Sequence, residues 1–359
     1  MEFINKIYSK FKSVFCRLLM LIKIIILSIF CRNKIYLFGT PVHGNLGDQA
    51  ILLGEEKFLK DNFKNKKVIE VESIVVSKCY KLLKILAGKS TILIHGGGFL
   101  GSLWINEEEM FRKVLKTFTD NKIIVFPQTV YFSEDEEGRR IFEESKKIYK
   151  SHKDLYICCR EKYSFDFMKK NMPDVNVLLI PDMVLYLDRL NDVFDRNNVL
   201  FCVRKDKEKV NYDFESLKDM LENKYNFNID YTDTVIKNNI YTLKNRNNEV
   251  NKKINQFRKY KLVITDRLHG MVLAFLSNTP CLVFQNKSYK VKGVYEWIKN
   301  ANYIELSDTE NMLKLAEKLL NNENKRVNDN NLIKNYNPLI HLINNSKENT
   351  SKEKETKNE

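Results

Sequence analysis

Short apolar runs of four to six residues alternate with longer segments of helical period along most of this chain. The runs are Lys34–Phe38, Lys67–Val71, Thr91–Ile94, Lys122–Phe126, Leu155–Cys159 and Val175–Ile180. Parallel strands buried on both faces read as such runs, and the segments between them read as crossover helices. The polar stretch Leu187–Asn198 breaks the rhythm, which resumes at Val199–Val203, Phe227–Tyr231, Lys261–Thr265 and Pro280–Phe284. Helices are expected at Ala50–Phe63, Met271–Leu276, Tyr295–Lys299 and Asn311–Leu320. With 359 residues the chain is long enough for two sizeable cores. The pattern predicts an α/β fold: two doubly wound, Rossmann-like domains facing each other across a cleft. The boundary falls near 187–198, giving a domain at 34–190 and another at 191–340. A helix at 1–33 precedes them and a charged tail at 341–359 follows. From Ser346 onward that tail has four Lys, four Glu and no apolar residue, so it cannot build a core.

In open α/β sheets, ligands sit in loops at the carboxyl ends of the strands. Eight of the twelve glycines (39, 44, 47, 96, 97, 98, 101 and 270) and three of the five histidines (43, 95 and 269) fall in three such loops. In a glycine-poor chain this clustering marks places where backbone must approach something closely.

The first loop, His43-Gly44-Asn45-Leu46-Gly47-Asp48, runs into a helix. Local capping, with Asn45 as N-cap and Asp48 as its capping-box partner, accounts for two of its residues. Capping does not require a glycine on each side of Asn45, which favours a ligand loop. The second loop, His95-Gly96-Gly97-Gly98-Phe99-Leu100-Gly101, has the form G-x-G-x-x-G but lacks the dinucleotide context. Asp120 precedes the next strand, where such a site needs an acid at its end, and that strand is followed by Pro127-Gln128. The chain has no G-x-S-x-G elbow, so an esterase oxyanion hole is not indicated. In the third loop, Asp266-Arg267-Leu268-His269-Gly270, Asp266 reads as an N-cap. Arg267 and His269 then lie in a first helical turn, where N–H groups and the dipole favour an anion. The dipole also keeps His269 neutral until an anion binds beside it.

The net charge is +14, and residues 1–34 carry +6 of it. Lys6, Lys10, Ser13 and Arg17 share one helical face, and apolar residues fill most of the rest. The run Leu18–Phe30 is broken by Lys23 and lacks the charge-free length of a membrane span. An interfacial helix on anionic lipid through residues 1–31 is the favoured reading, with a packed N-terminal helix as the plain alternative. The remaining charge is spread out with no basic, aromatic-interleaved stripe, so nucleic acid is not an expected partner. The seven cysteines form no C-x-x-C pair, which argues against a disulfide scaffold or a cysteine zinc site and suits a reducing cytoplasm.

Taken together, GTPVHGNLGDQAI (39–51), ILIHGGGFLG (92–101), FPQTVYFS (126–133), IPDMVLYL (180–187), TDRLHGMVLAFLSNTPCLVF (265–284) and KVKGVYEWI (290–298) resemble the polysaccharide pyruvyl transferase family. The resemblance covers about residues 34–300. It implies a glycosyltransferase-B-like fold. It also implies transfer of a carboxyvinyl unit from phosphoenolpyruvate onto two hydroxyls of one sugar, giving a ketal and phosphate. The co-substrate carries a carboxylate and a phosphate of about −1.5 to −2, so the site needs several positive donors. The family's R-L-H pattern maps onto Arg267, Leu268 and His269. His269, Asp48 and Arg267 are then the expected catalytic residues, with the acid and base roles of His269 and Asp48 unassigned. Arg204, Asn45, His43, His95, Gly97, Gly98, Gln128, Leu268 and Gly270 are the expected substrate-binding residues. No metal and no cofactor beyond phosphoenolpyruvate is expected. The acceptor is a polysaccharide or its lipid-linked precursor, and the N-terminal helix would hold the enzyme at the inner face of the plasma membrane.

Two other readings fit the same motifs. One is a nucleotide-sugar glycosyltransferase of the same architecture, which would release a nucleotide in place of phosphate. The other is a polysaccharide-binding protein that keeps the fold without the chemistry.

Overall fold

The computed structural model describes residues 2–188, 195–204, 210, 212–285, 289–308, 310–321 and 330–344. The N-terminal sheet has seven parallel strands: β1 (Lys34–Thr40), β2 (Lys67–Glu72), β3 (Ile92–Ile94), β4 (Gly97–Gly101), β5 (Ile123–Tyr131), β6 (Leu155–Cys159) and β7 (Asn176–Leu179). Their order is β2-β1-β3-β5-β6-β7, with β4 paired to the end of β5. The C-terminal sheet has five: β8 (Asn197–Cys202), β9 (Ile229–Tyr231), β10 (Tyr260–Thr265), β11 (Cys281–Phe284) and β12 (Ile304–Ser307), in the order β12-β11-β10-β8-β9. All described pairings within the two sheets are parallel. This is the expected α/β fold of two Rossmann-like domains, the glycosyltransferase-B-like arrangement.

The lobes meet along the helix Leu46–Asn62, which is buried on nearly every side. It carries Ala50, Ile51 and Leu52 into an apolar core continuous with Met271 and Val272 of the C-terminal lobe. Arg246, buried on the helix Leu243–Phe257, crosses the boundary to Gln49 at 3.0 Å, Glu56 at 2.9 Å and Glu70 at 3.3 Å. Burial, with Glu70 beside it, pushes the Glu56 carboxyl up to about 8 against the pull of Arg246.

Four sequence expectations change. First, Pro127 and Gln128 lie within β5 and not after it. Proline has no N–H to give to a ladder, and the register with β6 shifts between Val125 and Gln128. Second, the glycine-rich segment forms β4, although glycine disfavours strands. Third, the chain crosses back after the second lobe. The helices Asn330–Lys334 and Asn337–Asn344 flank Tyr336, whose hydroxyl donates to the Asp182 carbonyl at 2.8 Å and whose ring packs on Tyr186. Lys122 donates to the Leu342 carbonyl at 2.6 Å. Positions 341–344, expected in the tail, therefore end a helix with Ile343 buried. The rest of the tail and residues 189–194 of the expected boundary lie outside the described residues. Fourth, the N-terminal helix, Glu2–Phe30, is packed as well as amphipathic. Ile24 and Ser28 are buried, and Ser28 accepts from Tyr36 at 2.6 Å. Phe15, Leu18, Leu19, Ile22, Ile26 and Ile29 form an exposed stripe at helical spacing. Arg17, expected on the basic face, turns to Glu72 at 3.7 Å. Among the described residues no helix is long and apolar enough to cross a membrane.

Gly54 gives a stability test. An alanine in mid-helix ordinarily gains about 1 kcal/mol over glycine. A Cβ at Gly54 would lie 1.9 Å from the Met183 carbonyl oxygen, backbone that cannot swing aside. Overpacking of this kind costs about 1–3 kcal/mol. Gly54→Ala is therefore expected to lower the urea midpoint; a raised midpoint would mean the contact is slack.

Candidate active site

Each sheet reverses direction once. In the first the chain leaves β1 for β2 on one side and returns to β3 on the other; in the second it leaves β8 for β9 and returns to β10. A crevice opens where neighbouring strands send their connections to opposite faces. The four loops at these two switch points are 41–45, 95–96, 203–204 and 266–267. They supply His43, Asn45, His95, Arg204 and Arg267 to one cleft of about 710 Å³, with Asp48 and His269 on the helices that follow. A larger hollow, about 860 Å³ beside the helix Leu243–Phe257, has neither histidine nor arginine among its lining residues.

The third loop does not cap as expected. The helix runs Leu268–Leu276 with Arg267 at its N-cap position, and Asp266 instead accepts the Arg204 N–H at 2.8 Å. Burial pushes the Asp266 carboxyl up, with that N–H and the nearby Arg204 and Arg267 charges holding it down. Arg267 Nη2 donates to Asp233 at 2.8 Å, while its Nε is buried with no hydrogen-bond partner among the described residues. His269 is at the second helical position. Its Nε2 is likewise buried and unpartnered. Burial is the main cause that lowers the His269 pKa; Arg160 and Lys290 add to it, and Asp182 and Asp48 oppose it. The direction is the one the sequence reading expected, but burial leads it where the helix dipole was the expected cause.

In the first loop Asn45 is the N-cap. Its Oδ1 accepts the Gly47 N–H at 3.0 Å. Asp48 does not complete a capping box: its Oδ2 accepts from the Asn45 side-chain amide at 2.8 Å and lies 3.7 Å from His43. The flanking glycines make room for the contact between lobes. A Cβ on Gly44 would lie 2.0 Å from the Ile236 carbonyl oxygen, and one on Gly47 would lie 2.0 Å from His269 Nδ1. Leu46 N–H donates to the Thr234 carbonyl and Ile236 N–H to that of Gly44, each at 2.8 Å.

Gly97, Gly98 and Leu268 line the cleft as expected. Gln128 and Gly270 do not. Gln128 is fully buried and braces the second loop, donating to the His95 carbonyl at 2.8 Å and accepting the Phe99 N–H at 3.2 Å. Gly270 admits Thr265, whose Oγ1 would be 2.2 Å from a Cβ there.

Two partners escaped the sequence reading. Arg160, buried on the cleft wall, pairs with Asp182 at 2.9 Å and donates to Thr129 at 2.8 Å. Both follow strand ends, the one signal that pointed to them. Glu55, fully buried, meets His95 Nδ1 at 2.8 Å. It lies nine residues into a helix, where nothing in the sequence separates it from its neighbours.

The cleft thus gathers arginines, a buried imidazole nitrogen without a partner among the described residues and an acid from the opposite lobe. Comparison with known proteins names the class more closely. The pattern of the Polysaccharide pyruvyl transferase family matches residues 45–288, and the chain belongs to that family. It is 37% identical to General stress protein 30 of Bacillus subtilis over 317 residues, covering 86% of this chain and 91% of that one. Pyruvyl transferase 1 of Schizosaccharomyces pombe is 25% identical over 273 residues, covering 71% and 66% respectively. In fold it matches the crystal structure of KP1_0663 from Klebsiella pneumoniae. The TM-score is 0.53 at 20% identity, covering 80% of this chain and 98% of the other. The chain is a polysaccharide pyruvyl transferase.

His269 depends on the missing side chain at Gly47. The residue is half-buried with its Nε2 enclosed, and a Cβ 2.0 Å from Nδ1 leaves no room for the ring where it stands, so Gly47→Ala should displace it. A shift of about 1 Å in a reacting group can cost about 10²-fold in turnover. Loss on that scale, with the fold retained by circular dichroism, is expected; unchanged turnover would mean the ring position is not critical.

Proposed function

We propose that the enzyme takes phosphoenolpyruvate as donor and forms a pyruvate ketal on two hydroxyls of a sugar in a cell-surface polysaccharide or its lipid-linked precursor. The observation that carries this reading is the pairing of unsatisfied buried donors at one helix terminus. Arg267 Nε and His269 Nε2 both lack partners among the described residues and both belong to the cleft wall. The first N–H groups of a helix are also without intrahelical partners. A carboxylate and a phosphate on one three-carbon frame would satisfy these groups together, and an anion beside His269 would favour its protonated form.

The reaction balances within the cleft. One acceptor hydroxyl adds to C2 of the donor while C3 gains a proton and becomes a methyl group. The second hydroxyl then bonds to C2, the C–O bond to phosphate breaks, and its proton leaves with the phosphate. His269 and Asp48 approach from opposite lobes and divide the proton transfers. Arg204 and Arg267 hold negative charge as the phosphate departs.

The exposed stripe of the N-terminal helix supports a peripheral seat on the cytoplasmic face of the plasma membrane. Lys23 and Arg32 are exposed on or beside it. Deletion of residues 1–31 would uncover the core under Ile24 and Ser28, so surface substitutions are the sounder test. Ile22→Asp combined with Ile26→Asp should abolish sedimentation with phosphatidylglycerol vesicles and leave activity on a soluble acceptor unchanged. Equal sedimentation would remove the membrane from the reading.

For the chemistry, the pure protein is incubated with phosphoenolpyruvate and a panel of lipid-linked and nitrophenyl sugars. Phosphate release with a matching mass gain on one sugar is expected, and Arg267→Ala should lower turnover by about 10²-fold or more. Release of a nucleotide from a sugar nucleotide would instead establish a glycosyltransferase.

A further inference from the structure

Glu55 and His95 stand outside the donor-binding terminus and are built as a unit. Glu55 Oε1 accepts the Gly96 N–H at 2.7 Å, and Oε2 lies 2.8 Å from His95 Nδ1. The His95 backbone is fixed on both sides: its N–H donates to the Phe38 carbonyl at 2.9 Å and its carbonyl accepts from Gln128 at 2.8 Å. Both side chains are buried, and His95 lines the cleft. Its Nε2 is buried with no hydrogen-bond partner among the described residues. An unpartnered buried ring nitrogen costs free energy unless a ligand meets it.

While Glu55 is ionised both its oxygens can only accept, one from the Gly96 N–H and the other from the imidazole. The proton therefore sits on His95 Nδ1, and Nε2 presents its lone pair to the cleft. We infer that Glu55 is a positioning residue which sets this tautomer, and that His95 Nε2 is the base taking the proton of one acceptor hydroxyl as its oxygen bonds to C2 of the donor. The proton then passes to the departing phosphate, so the overall balance given above is unchanged. The ketal needs two hydroxyl protons removed, and this gives the acceptor its own base, separate from the donor site at His269. The inference rests on the pyruvyl transfer proposed above.

The charged groups near this unit are Asp182 and Arg160 on the strand-end loops, with Arg17, Glu72 and Glu107 on the cleft wall. Burial pushes the Glu55 carboxyl up, His95 and the Gly96 N–H hold it down, and Asp182 adds to the upward push.

Glu55→Gln keeps the shape and reverses the hydrogen bond. The amide nitrogen donates to Nδ1, Nε2 takes the proton, and the base is lost. The expected result is a fall in kcat of about 10²–10⁴-fold, with the KM for phosphoenolpyruvate and the thermal midpoint little changed. His95→Ala should lose kcat similarly, and added imidazole should restore part of it. Wild-type kcat in Glu55→Gln, or His95→Ala unresponsive to imidazole, would overturn the inference. If the unaltered enzyme releases no phosphate from phosphoenolpyruvate with any acceptor, the proposed function fails first. If it does and Glu55→Gln matches it, this assignment alone fails.

Discussion

A histidine from one lobe occupies the space that a side chain would fill on the other. The 2.0 Å between His269 Nδ1 and a would-be Cβ at Gly47 ties the position of that ring to the closure of the lobes. The ring cannot keep its place if the helix Leu46–Asn62 moves away, and that helix cannot move without breaking the apolar core it shares with Met271 and Val272. Two further seams hold the same closure. Backbone bonds join 44–46 to 234–236, and Tyr163 stacks on Tyr289 at 4.4 Å beside the bond from Trp297 to the Arg160 carbonyl at 2.7 Å. The cleft is therefore set by packing on two sides.

That closure explains how so many charges tolerate burial. An isolated buried ion is costly, and removing one partner of a buried pair is costlier still. Here cations and acids are matched locally: Arg160 with Asp182, Arg267 with Asp233, the Arg204 N–H with Asp266. Each pair fixes a guanidinium or a backbone donor in advance, so the cleft wall is set before any ligand arrives. Two nitrogens there, Arg267 Nε and His269 Nε2, are buried without a hydrogen-bond partner among the described residues.

The sequence disclosed strands well because a stretch buried on both faces must be apolar, and positions 35–38 of β1, 155–159 of β6 and 262–264 of β10 are. It disclosed the three glycine-bearing loops for a sound reason, close approach, and part of that approach is to protein groups. Gly44, Gly47 and Gly270 make room for Ile236, His269 and Thr265, all of them protein groups that only the fold brings near. β4 was hidden because its five residues include three glycines, whose propensity argues against a strand; pairing with β5 overrides it. Glu55 was hidden for a different cause. A carboxylate within an amphipathic helix reads as solvent-facing, and the His95 that makes its burial bearable lies forty residues on in the chain.

The N-terminal helix combines two demands that a sequence-only reading sets against each other. Ile24, Ser28 and the Arg17–Glu72 pair face the N-terminal lobe, while the stripe from Phe15 to Ile29 faces outward. An α-helix offers about 100° per residue and four or more distinct rows, so one helix of 29 residues satisfies both. The consequence is spatial. Arg17 lines the cleft, and Ile26 lies about 14 Å further along the same axis at 1.5 Å per residue. A surface suited to lipid and the mouth of the cleft are thus fixed relative to each other by a single rigid rod, and the packing that buries Ile24 is what keeps them so.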